Sequence, residues 1–79
     1  MKVEIGDKIT LFNGEEYRVV EIIKYDGKDF MYLLNIKDPE KSWVYEYRND
    51  GEKMQVKREK DKKIINEVLE LIKNEYTEN

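Results

Sequence analysis

Three times within the first 51 residues an Asn or Asp stands directly before a glycine: Asn13-Gly14, Asp26-Gly27 and Asp50-Gly51. Both kinds of residue tolerate positive φ, which the tightest β-hairpin reversals demand, so each pair reads as a hairpin turn. The runs between them fit strands. KITLF (8–12) is short, while EYRVVEIIKY (16–25) and DFMYLLNI (29–36) are rich in β-branched and aromatic residues. SWVYEYR (42–48) alternates rings with other side chains, NDGE (49–52) is the turn that follows it, and KMQVK (53–57) closes the series. Between the third and fourth runs, KDPEK (37–41) is a polar loop in which Pro39 presets one dihedral. Four or five strands joined this way make an antiparallel meander.

From Asp61 the apolar period changes. Ile64, Ile65, Val68, Leu69, Leu71, Ile72 and Tyr76 recur at intervals of 1 to 4, so most of them fall on one helical stripe. Asp61 fits an N-cap, its carboxylate accepting from a backbone N–H that the first turn leaves unpaired. A helix of this length is marginal alone and needs the sheet as a support. The fold class that follows is α+β: a single domain over 1–79, with a curled or barrel-like meander over 3–57 and an amphipathic helix over 61–76. Within the second run the apolar parity changes, from Tyr17 and Val19 to Val20 and Ile22, which predicts a bulge or sharp bend. Trp43, Tyr45 and Tyr47 share one face of the fourth run. Its other face offers only Ser42, Val44 and Glu46, so the rings are expected in the core with the tyrosine hydroxyls reaching the surface.

Composition narrows the chemistry. The chain has no histidine and no cysteine, which removes the usual general base, thiolate metal sites and disulfides. Ser42 is the only serine and has no histidine to activate it. Asp26, Asp29, Asp38, Glu40, Asp50 and Glu52 all lie in or beside turns, where acidic side chains bond the local backbone. NDGE lacks the spaced oxygen ligands of a calcium loop, and the glycines form no phosphate cradle. The expectation is a protein that is not an enzyme and uses no cofactor or metal. Nothing at the start of the chain has the form of a signal peptide, and no apolar run is long enough for a membrane span, so a cytoplasmic location is expected. The net charge of −3 is uneven: KREKDKK (57–63) carries five basic and two acidic residues between two acidic segments.

VEIGDKITLFNGEEYRVVEII (3–23) resembles the opening of small SH3-like β-barrels, with an apolar-Gly-Asp turn, a short strand and a hairpin into a long bent strand. EYRVVEIIKYDGKDFMYLLNI (16–36) is similar to the centre of short acidic bacterial proteins of unknown function, of the form E-Y-x-V followed by Y-x-G-K-x-F/Y-x-x-L. Trp43 and the basic 57–63 stretch depart from that second pattern. The resemblance implies a barrel-like interaction module of bacterial or phage origin and transfers no site residues.

The leading expectation is therefore a protein–protein interaction module. Its candidate contact residues are Tyr45, Tyr47, Met31 and Leu33, with Arg58, Lys60, Lys62 and Lys63 forming a basic patch. Two alternatives stay open. One is an acidic inhibitor of a nucleic-acid-handling protein, with Glu15, Glu16 and Glu21 in a phosphate-mimicking surface. The other is a small barrel that binds nucleic acid through 57–63, next to stacking rings such as Tyr45 and Tyr47. A second copy of the chain is a further partner that an uncovered apolar face would suit.

Overall fold

The computed structural model describes residues 2–11 and 13–77, with the backbone alone of Tyr76 and Thr77. The end of the first expected strand, Phe12, and the Tyr76 side chain of the helical stripe lie outside the described residues. The strands are β1 (Lys8–Thr10), β2 (Glu16–Tyr25), β3 (Lys28–Asn35), β4 (Trp43–Asp50) and β5 (Lys53–Arg58), and the helix α1 spans Lys62–Thr77. They form one antiparallel sheet in the order β1-β2-β3-β4-β5. The sheet curls into a half-barrel with β1 and β5 as its two edges.

The turns obey their residues. Asp26 and Gly27 both have positive φ, 53° and 75°, as a two-residue type I′ loop requires. At the β4–β5 reversal Asp50 stays paired with Lys53, and only Gly51 of the two loop residues has positive φ, 66°. That is the type II′ arrangement, so the reversal starts one residue later than an Asp-Gly tip predicts. In the first hairpin the Leu11 N–H donates to the Glu15 carbonyl, and Asn13 Oδ1 accepts from the Glu15 N–H at 3.0 Å. Before β4, within the polar 37–41 loop, Asp38 caps a single 3₁₀ turn, Pro39–Lys41.

The parity change in β2 is a bulge. Val19 pairs with Leu33 and Glu21 with Tyr32, so Val20 is left without a partner. Tyr17 and Val19 therefore face one side of the sheet, whereas Ile23 faces the other. The extra residue also adds to the local bend. With both sides supplied, the sheet carries a core on each face. Inside the curl pack Val3, Tyr17, Val19, Met31, Leu33 and Tyr45, joined by partly buried residues from β1, β2, β4 and β5. Side chains from both edge strands meet in one cluster only if the sheet bends towards that side. On the opposite face Ile23, Phe30 and Val44 pack against Ile65 and Val68 of α1.

The helix forms and docks as its pattern predicts. Asp61 Oδ1 accepts from the Lys63 N–H at 2.9 Å, supplying the expected cap. Ile64, Ile65, Val68 and Ile72 face the sheet, with Val68 fully buried. Leu69 and Leu71 lie off that stripe and are 39% and 38% exposed. No helix among the described residues is long and apolar enough to cross a membrane.

Candidate functional site

The inside of the curl is not filled along its whole length. Between the β1–β2 hairpin and β5 it opens into a groove of about 810 Å3. Leu11, Tyr17, Tyr45, Met54 and Val56 make its floor, Asn13, Glu15, Glu40 and Lys41 line one side, and Lys57, Arg58 and Lys60 line the other. The alternation of β5 explains the floor. Met54, Val56 and Arg58 share a parity that points into the curl, whereas Lys53, Gln55 and Lys57 have the opposite parity.

Two tyrosines stiffen the base. The rings of Tyr17 and Tyr45 meet edge to face, with centroids 5.9 Å apart. They are only 3% and 8% exposed, so they support the groove rather than project into it. Burial, then the neighbouring Tyr17 hydroxyl, pushes the Tyr45 phenol up to about 12. The raised value favours folding while the phenol is neutral. The contribution is complete below the ordinary tyrosine value near 10 and is lost as pH rises from there through about 12. Urea midpoints measured between pH 9 and pH 12 are therefore expected to fall more steeply for the native chain than for Tyr45→Phe. Parallel curves would show that the phenol is not sequestered.

The acidic side is anchored by Asn35, which is 1% exposed. Its Nδ2 donates to Glu15 Oε2 at 2.7 Å, while Oδ1 accepts from the N–H groups of Lys37 and Asp38 at 3.0 and 2.9 Å. The Asn35 N–H in turn donates to the hydroxyl of Ser42 at 3.1 Å, which gives the single serine a structural task. The bond from Asn35 holds the Glu15 carboxyl below the usual carboxylate range, partial burial works against this, and Lys41 at 3.5 Å adds attraction. Glu15 is thus already engaged on its own side of the groove.

The basic side is held just as firmly. Arg58 lies over the Trp43 ring at 4.8 Å, and Trp43 Nε1 donates to the Glu59 carbonyl at 2.8 Å. Glu59 Oε2 accepts from the N–H groups of Lys60 and Asp61, and Asp61 then caps α1. The 57–63 segment is therefore a fixed corner of the fold. Among the described residues, no carboxylate lies within ion-pairing distance of Lys57, Arg58 or Lys60.

These positions sort the residues expected from the sequence. Tyr45 lies in the floor, and Arg58 and Lys60 lie on the rim. Tyr47 is half-buried against the same core, beside a shallower hollow lined by Lys28, Glu46 and Arg48, and burial raises its phenol above the ordinary value. Met31 and Leu33, expected on a contact face, are instead 1% and 0% exposed. Tyr17, Val19, Tyr45 and Val3 pack with them, because the curl covers that face. Lys62 and Lys63 are exposed on the first turn of α1, away from the groove lining. Lys57 falls within the basic stretch read from the sequence, whereas Lys41, Met54 and Val56 are not among the expected residues. The parity that Met54 and Val56 share with Arg58 is the signal for those two, and Lys41 carries none. The chain matches no protein-family model, no curated protein and no solved structure closely enough to show kinship.

Proposed function

We propose that the protein is a small interaction module that carries no chemistry of its own and takes an extended segment of another protein in the groove beside β5. One observation carries this reading. An apolar floor made by Leu11, Met54 and Val56 opens to solvent directly next to a strand that has a neighbour on one side only. Proteins use such edges to receive peptides, with backbone bonds for affinity and side-chain pockets for selection.

The nucleic-acid reading is supported by the three cations on the rim but has less behind it. Base stacking needs open ring faces, and Tyr17 and Tyr45 offer almost none. The acidic-inhibitor reading has less still. Glu15 is engaged by Asn35 and Lys41, Glu16 lies 3.7 Å from Lys8, and Glu21 is 8% exposed.

The test is selection of peptides from a random display library on the immobilised protein, followed by mapping of the recovered peptides through backbone amide shifts. Shifts centred on Tyr45, Met54, Val56 and Arg58, and loss of binding in Val56→Glu, are expected. An empty selection, or shifts confined to α1, would overturn the reading.

A further inference from the structure

We infer that the segment received by the groove is acidic and pairs with β5 as a sixth strand, an inference that rests on the interaction reading above. The β4–β5 hairpin closes through a two-residue loop, with Asp50 opposite Lys53. In such a hairpin the closing pair is hydrogen-bonded, and bonded pairs recur at every second position. Lys53, Gln55 and Lys57 therefore bond inward to Asp50, Arg48 and Glu46. The Glu59 N–H, which donates to the Val44 carbonyl at 3.0 Å, continues the same rhythm. Met54, Val56 and Arg58 must then turn their backbone N–H and C=O groups away from β4, towards the open edge. Among the described residues no sixth strand lies there, and α1 packs on β2 and β4.

The chain as a whole carries −3. Its groove reverses that sign, with Lys41, Lys57, Arg58 and Lys60 against Glu15 and Glu40. The surplus is one-sided, because Lys41 already lies against Glu15 while the three cations at the β5 corner have no carboxylate partner among the described residues. An approaching anion would meet that corner first.

Together these features describe the occupant. A strand laid along β5 alternates its side chains, one set pointing into the groove and the other away. An apolar residue of the inward set fits over Met54 and Val56. An Asp or Glu two positions along, ~7 Å further, comes level with Arg58 and Lys60. The same charges select against other guests. Lysine on an edge strand deters pairing with neutral or basic strands. Two copies of β5 placed edge to edge would set Lys53, Lys57 and Arg58 of each against the other, so the edge is unsuited to a second copy of itself.

The composition of the peptides recovered from the library is the first readout. Asp and Glu are expected on alternate positions around an apolar residue. Replacing those acids by lysine in a recovered peptide is expected to weaken binding at least tenfold, as is the double change Lys57→Glu with Lys60→Glu. Both lysines are exposed and make no ion pair among the described residues, and because Lys57 lies opposite Glu46 in the ladder a urea curve is run beside the binding assay, with the variant expected to stay folded. Hydrogen exchange at the Met54, Val56 and Arg58 amides is expected to slow in the complex. Recovered peptides that are neutral or basic yet still perturb the groove would sink this inference and leave the interaction reading standing. An empty selection would sink both. Groove-centred shifts with a twelve-residue oligothymidylate, where no peptide binds, would assign the corner to phosphate and overturn the acidic strand. Unchanged exchange at the three amides in a tight peptide complex would overturn strand pairing.

Discussion

Phe30→Ala is expected to lower the unfolding free energy by about 4 kcal/mol, in the range seen when a buried aromatic side chain is cut back. Phe30 is 0% exposed at the centre of the helix-side core, with the Tyr25 ring at 6.4 Å and Val44, Ile65 and Val68 in the same cluster. Two terms add. The ring's apolar surface no longer leaves water on folding, and the space left behind can close only as far as its neighbours move. Those neighbours are constrained, because Val44 is held in the sheet between β3 and β5 and Ile65 follows directly from the capped turn at Asp61. A small domain has only ~5–15 kcal/mol in all, so the variant should be close to unfolding at moderate urea. Leu69→Ala, at an exposed site of the same helix, is the control and should stay within ~0.5 kcal/mol of the native chain. A loss below ~1.5 kcal/mol for Phe30→Ala would mean that α1 slides to fill the gap and is less firmly docked than its packing indicates.

Asn35→Ala is expected to cost about 3 kcal/mol, although it removes little volume. The amide serves three partners at once: the Glu15 carboxylate and the backbone N–H groups of Lys37 and Asp38. Without it, two backbone donors at the start of the β3–β4 connection lose their acceptor, and each unsatisfied group costs ~1–3 kcal/mol if water cannot reach it. The pH dependence identifies the cause. Glu15 is held below its ordinary value chiefly by Asn35, so its contribution to stability is present above the unfolded carboxylate range and is lost as pH falls through the lowered folded value. The gap in stability between native chain and variant should therefore narrow on going from pH 7 towards pH 2. A gap that stays constant with pH would confine the role of Asn35 to the backbone. An NMR titration of Glu15 gives the matching reading, with its carboxyl returning towards the ordinary range in the variant.

The local half of this structure was legible in the residues. Hairpin chemistry placed the reversals at Asn13-Gly14, Asp26-Gly27 and near Gly51, and the 3.6-residue period after Asp61 located both the helix and its cap. The parity change at Val19 and Val20 marked the bulge. What could not be read was the assignment of faces. β3 is apolar on both parities, so Phe30 and Met31 were equally suited to meet the helix, and nothing local says which one does. The structure gives Phe30 and Val44 to the helix side and Met31, Leu33 and the Tyr45 ring to the inside of the curl. With the faces undecided, Met31 and Leu33 looked available to a partner, and the groove could not be seen because its walls come from opposite edges of the sheet. Asn35 was invisible for a related reason. Its partners Glu15 and Ser42 lie 20 and 7 residues away, and a single Asn at a strand end ordinarily marks only a turn.

The two cores also mature at different points along the chain. Everything inside the curl comes from residues up to Val56, whereas the side bearing Phe30 and Val44 waits for Ile65 and Val68. A chain cut back before Lys62 would keep every residue of the inner core, yet leave Ile23, Phe30 and Val44 facing water where Ile65 and Val68 now cover them.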